Sequence, residues 1–168
     1  LRASLHRGFG EIAGAGRAAG PVPRMYGAQA AGCAPIVDLF ERGGEEIRPV
    51  VPRTIARSIA IGNPADGRFA ARAIRASGGR AQAVSDPELV EGIRLLAREA
   101  GVFTETAGGV TVAAAGALAR AGQLRADDVL VLCITGNGLK TLEALQGALP
   151  EAPVIPPRLS AVAALASA

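Results

Sequence analysis

The sequence predicts an α/β fold, a three-layer arrangement in which a parallel sheet carries helices on both faces. Three observations point to it. Helical and extended patterns alternate along most of the 168 residues. The run Val129-Leu130-Val131-Leu132-Cys133-Ile134 after Asp128 is continuously apolar, as expected of a central parallel strand covered on both sides. The stretch Gly108 to Ala121 is small and apolar almost all round, the pattern of a buried helix.

The elements follow in order. A helix is predicted from Leu1 to about Ala15, ended by the Gly14, Gly16, Gly20, Pro21 cluster. Arg24 to Ala30 reads as a strand and Cys33 to Arg42 as a short helix. Gly43 to Pro64, punctuated by Pro49, Pro52 and Pro64, has no sustained period and reads as a long surface connection, a kind that is often functional. Ala65 to Ala76 is helical, with Phe69, Ala73 and Ile74 on one face and Arg68, Arg72 and Arg75 on the other. A strand from Arg80 to Val84 leads into Ser85-Asp86-Pro87-Glu88, a strong helix start. There Ser85 or Asp86 can cap, Pro87 fits the first turn, and Glu88 suits the positive end. That helix presents Leu89, Ile93, Leu96, Ala97 and Ala100 on one stripe and stops at Gly101. After the strand at 128–134, residues 151–168 form a Pro- and Ala-rich tail with a short helix over Arg158 to Ala166.

Composition narrows the function. With 49% hydrophobic and 20% charged residues, one globular domain is expected, and no apolar run is long enough to span a bilayer. Eighteen basic residues against fifteen acidic give a net charge of only +3, and aromatics are 3%, which disfavours a nucleic-acid partner. Cys33 and Cys133 lack metal-ligand spacing and His6 is the sole histidine, so neither a zinc site nor a Cys–His relay is expected. Buried, reduced thiols and the absence of a signal-peptide pattern suit the cytoplasm. The first residue is Leu1 rather than methionine, which suggests a fragment.

In open α/β sheets ligands sit beyond the carboxyl ends of the strands, here at Thr135-Gly136-Asn137-Gly138. Two glycines allow a hydroxyl and several amides to converge there, although a tight turn leaving a strand explains the same spacing. Glu105, ahead of Gly108 and Gly109 at the start of the buried helix, is a ligand group or a cap, and a cap is the simpler explanation. Ile61-Gly62-Asn63-Pro64 reads as an ordinary loop end, and the Arg68, Arg72, Arg75 stripe as a solvated helix face.

Five ordered blocks across about residues 6 to 142 carry a resemblance. Arg24 to Val37, Ile61-Gly62-Asn63-Pro64, Val84-Ser85-Asp86, Thr104 to Thr111 and Thr135-Gly136-Asn137-Gly138-Leu139-Lys140 together closely resemble the threonine synthase family. These are pyridoxal-phosphate enzymes of the tryptophan-synthase-β type, or fold type II. The resemblance implies that residues 1–150 form a carboxyl-terminal portion of the cofactor-binding catalytic region. It implies pyridoxal 5'-phosphate as cofactor, with Thr135 contacting the pyridine nitrogen, Gly136 giving the ring room and Glu105 near the ring edge. It assigns no catalytic residue here. The family's cofactor-bearing lysine and phosphate-gripping loop lie upstream of the block matching His6 to Phe9, so Lys140 is not that lysine and the chain alone is expected to be inactive.

Asn137 stands where many relatives carry His, and Thr141 where Asp is common. The implied reaction converts O-phosphohomoserine and water to threonine and phosphate. Serine or threonine dehydration on the same scaffold, or a non-catalytic remnant that binds a partner or small ligand, are the alternatives. The implied partners are an amino-acid substrate, the upstream part of the same enzyme and a second copy in a homo-oligomer, with no membrane. Edges and apolar faces uncovered in an isolated piece predict self-association.

Overall fold

A computed structural model of the chain describes residues 2–17, 20–149 and 153–166. Leu1, with which the first predicted helix begins, and the start of the tail at 151 lie outside them. The predicted alternation is present. Helix α1 (Arg2–Gly14) is followed by strand β1 (Gly27–Ala30), helix α2 (Pro35–Arg42), helix α3 (Gly67–Ala76) and strand β2 (Ala81–Val84). Helices α4 (Asp86–Ala100), α5 (Thr106–Arg120) and α6 (Leu159–Ala166) complete the order.

The two strands pair in parallel, with Gly27 opposite Ala81 and Ala30 opposite Val84. Side chains alternate across a strand, and this pleat puts helices on both faces. Ala28 and Ala30 point towards α4 and α5, where Ala30 and Val84 join a core of Leu89, Ile93, Val110 and Ala114. Gln29 points the opposite way. Its Oε1 accepts from the amides of Ile36 at 2.9 Å and Val37 at 3.0 Å, in the first turn of α2. A strand side chain thus caps a helix whose own Ala34 offers no cap. Behind α2 packs α3. Each fully buried Leu or Ile of the α4–α5 side contributes about 1.5–3 kcal/mol relative to exposure.

Helices α4 and α5 meet through their glycines. A Cβ at Gly92 would overlap the carbonyl oxygen of Gly109, and one at Gly109 would lie 2.6 Å from Ile93 Cγ1. The helices can approach this closely only because neither residue carries a side chain. The predicted start of α4 holds, and Ser85 is its cap. The Ser85 hydroxyl accepts from the Glu88 amide while the Glu88 carboxylate accepts from the Ser85 amide at 2.7 Å, closing a capping box.

Four expectations need correction. Residues 128–134 form no regular element and pair with no strand among those described, and Val129 and Val131 are 93% and 79% exposed. A continuous apolar run identifies a segment suited to burial, but a strand also needs a neighbour to take its backbone groups. Its ends are held instead, by an Arg24–Asp128 ion pair of 2.5 Å and by an antiparallel bridge between Thr104 and Asn137. Phe69 faces outward, because the buried face of α3 is made by Ala70, Ala71, Ala73 and Ile74. Arg75 is not part of a solvated stripe. Its guanidinium donates to the carbonyls of Leu39 at 2.6 Å and Gly44 at 3.1 Å, tying α3 to the end of α2. Of the two thiols, Cys33 is buried and Cys133 exposed, because Cys133 lies on the unpaired segment.

Candidate functional site

The turn after residue 134 is fastened to the segment that enters α5. The Gly136 carbonyl accepts from the Glu105 amide at 3.1 Å and from the Thr104 hydroxyl at 3.0 Å, and the Gly138 amide donates to the Phe103 carbonyl at 3.0 Å. Two stretches more than thirty positions apart are thereby locked in register. Asn137 caps the helical turns that follow by accepting from the Leu139 amide at 2.9 Å.

Two of the three candidate residues meet at this junction. Glu105 is 5% exposed, and its carboxylate fills the space where a Cβ at Gly136 would stand. The glycine therefore makes room for an acidic side chain of the same chain. Thr135, the next residue back, is exposed and makes no side-chain hydrogen bond among the described residues, so its hydroxyl is available.

Glu105 occupies the N-cap position of α5 with extended backbone (φ −68°, ψ 171°), yet its side chain caps nothing. The first amide of the helix, that of Thr106, donates instead to Thr141 Oγ1 at 3.2 Å. The cap that the sequence suggests at Glu105 is supplied from the facing loop. Freed from capping, the carboxylate forms an ion pair with Lys140, Oε2 to Nζ at 2.9 Å. The pair is off hydrogen-bond alignment, so Oε2 receives no hydrogen-bond donor, and the Thr106 hydroxyl is a second buried polar atom without a partner. An unpartnered buried hydroxyl is costly, and it marks a position where a polar ligand group restores the balance.

The site is therefore an acidic, small-residue corner with one free hydroxyl beside it, at the positive end of a fifteen-residue helix. A shallow apolar recess of about 480 Å³ adjoins it, lined by Phe103, Leu142, Glu143, Leu145, Gln146 and Leu149, and none of Thr135, Gly136 or Glu105 contributes to it. Among the described residues no group of three or more His, Cys, Asp or Glu could hold a metal ion, and no helix is long and apolar enough to cross a membrane.

Sequence reasoning did not find Lys140 as the partner of Glu105 or Thr141 as the cap of α5. A lone lysine in a chain otherwise basic only through arginine was a visible signal for the first. No local pattern announced the second.

Residues 3–136 match a family profile described as pyridoxal-phosphate dependent enzyme. The threonine synthase of Methanocaldococcus jannaschii is 43% identical over 124 residues, covering 73% of this chain and 31% of the relative. That of Synechocystis sp. is 44% identical over 119 residues, covering 71% and 29%. That of Methanosarcina acetivorans is 34% identical over 160 residues, covering 95% and 39%. The chain spans about a third of the length of these curated relatives. Threonine synthase from Escherichia coli superposes with a TM-score of 0.59 at 20% identity, over 83% of this chain and 32% of that one. At that identity the likeness concerns the fold alone.

Proposed function

Because this chain belongs to the pyridoxal-phosphate dependent enzyme family, we propose that it is part of a threonine-synthase-type enzyme and forms one wall of its cofactor site. Such an enzyme converts O-phosphohomoserine and water to threonine and phosphate. The observation that carries the site is the corner at Gly136. There a buried carboxylate paired with Lys140 stands next to a turn whose neighbouring hydroxyl is free.

The residues present fit the cofactor. Thr135 has the hydroxyl needed to hydrogen-bond a pyridine nitrogen, Gly136 leaves room for the Glu105 side chain beside it, and Glu105 offers a carboxylate towards the ring edge. When bound, pyridoxal phosphate supplies an electron sink for charge developing next to the substrate's amine. The chain's own residues orient it. The two hydrogen bonds to the Gly136 carbonyl fix the turn, so the Thr135 hydroxyl is presented at a constant place.

In this proposal residues 1–150 belong to the catalytic region. The amine that carries the cofactor comes from the rest of the enzyme, since Lys140 is engaged with Glu105. The chain alone is then inactive. The apolar segment 128–134 serves as a sheet strand beside strands of the remaining enzyme, which is supported by its continuous apolar run and its exposed Val129 and Val131. The amino-acid substrate and assembly as a homo-oligomer belong to the same proposal.

The test compares Thr135→Ala and Thr135→Ser in the complete enzyme. Loss of the hydroxyl should shift the cofactor's absorption band and lower kcat roughly tenfold or more, a change of about 1.4 kcal/mol in barrier. Thr135→Ser should retain both. An alanine variant with an unaltered band and rate would remove Thr135 from the site.

A further inference from the structure

We infer that Lys140 is a positioning residue, which holds the Glu105 carboxylate against Gly136 and thereby fixes the acidic side of the proposed cofactor pocket. The inference rests on the site proposed above and adds a residue to it.

Four observations support it. Glu105 is 5% exposed, and among the described residues the lysine ammonium is the one cation in ion-pair distance of it, at 2.9 Å. The carboxylate does not cap α5, because Thr141 satisfies the Thr106 amide, so nothing local fixes its direction. The space it fills exists only because residue 136 lacks a Cβ. Lys140 itself is anchored, since its amide donates to the Asn137 carbonyl at 3.2 Å, in the turns that begin at Gly138.

A buried carboxylate deprived of its counter-charge swings towards water. That movement would alter the side of the pocket that Glu105 presents. Lys140 is 62% exposed and reaches inward with its tip, so its removal leaves the packing of the core unchanged.

The experiment uses the complete, cofactor-loaded enzyme with Lys140→Met, Lys140→Gln, Lys140→Arg, Glu105→Gln and the Glu105→Gln/Lys140→Met double variant. Two quantities are read, the dissociation constant for pyridoxal phosphate and the position of its absorption band, with thermal melting recorded beside them. Lys140→Met and Lys140→Gln should each weaken cofactor binding about tenfold and displace the band, the scale of one charge-assisted contact. Lys140→Arg should restore most of both. The double variant should be no worse than Glu105→Gln alone, because the residues act as one unit.

A lowered melting temperature with unchanged band and affinity would make the pair merely structural and overturn the inference. Full additivity of the two penalties would do the same. If Thr135→Ala has its expected effect while Lys140→Met has none, the site stands and Lys140 leaves it. If the unaltered enzyme binds no pyridoxal phosphate, the site falls and this inference with it.

Discussion

Thr54 and Asp86, thirty-two positions apart, are joined by a 2.5 Å hydrogen bond from the threonine hydroxyl to Asp86 Oδ1. The second carboxylate oxygen accepts from the Ile55 amide at 3.1 Å, and the same Thr54 hydroxyl accepts from the Ala56 amide at 3.1 Å. The long connection between α2 and α3 is thereby fastened to the first turn of α4. It places Ala56, which is fully buried, into the α4–α5 core. Thr54→Val should cost about 1–2 kcal/mol in urea unfolding, the scale of two lost hydrogen bonds. It should also speed proteolysis at the neighbouring Arg53 and Arg57. An unchanged digestion pattern would show that the connection is held by other contacts.

The close crossing of α4 and α5 sets up a contrast between glycines of one helix. Gly109→Ala should destabilise by about 2–3 kcal/mol or more, because the added methyl meets the Leu89 carbonyl and the Ile93 side chain. At Gly116 a Cβ would approach only the tip of the Arg120 side chain, at 3.3 Å. Gly116→Ala should therefore be neutral, or stabilising by up to about 1 kcal/mol through helix propensity. Equal effects at the two positions in thermal melts would contradict the crossing.

The capping box gives a prediction in acid. Hydrogen bonds from the Ser85 hydroxyl, and then from its amide, hold the Glu88 carboxyl below the ordinary glutamate range. A group whose folded value is depressed contributes stability above its unfolded value and loses it as pH falls through the folded one. Ser85→Ala should lower stability by about 1 kcal/mol near neutrality. The deficit should narrow below about pH 4, where glutamate protonates in either protein. A constant deficit from pH 7 to pH 3 would show that the carboxylate takes no part.

The two thiols should react at different rates. Cys33 is 2% exposed and burial pushes its thiol up, whereas Cys133 is open to solvent on the unpaired segment. A thiol reagent at pH 8 should label the native chain quickly once, and Cys133→Ser should abolish that fast phase. Two fast equivalents would mean that the α2 region opens readily.

The parts of the fold legible in the sequence are those fixed by neighbouring residues. Ser85 and Glu88 announced a helix start because both halves of the box lie within one turn, and Pro87 confirmed it. Gly101, in left-handed conformation with φ 66°, ended α4 where a glycine after the apolar stripe was seen. What escaped depends on pairs brought together by folding. Nothing about Thr141 shows that it serves an amide thirty-five positions earlier, and with this cap hidden the sequence points to Glu105 instead. The run 129–134 showed its apolar character faithfully but carried no information on whether a neighbour would lie alongside. At the site, the family resemblance picked out Thr135, Gly136 and Glu105, while the contact of Glu105 with Lys140 belongs to tertiary structure alone.

The clamps at Asp128 and Asn137 have a kinetic consequence. Residues tied at two fixed points have fewer conformations left to sample, so a complementary edge would meet a segment whose ends are already in place. Docking should then be rapid and nearly free of nucleation delay, for the proper neighbour and for a misplaced copy alike.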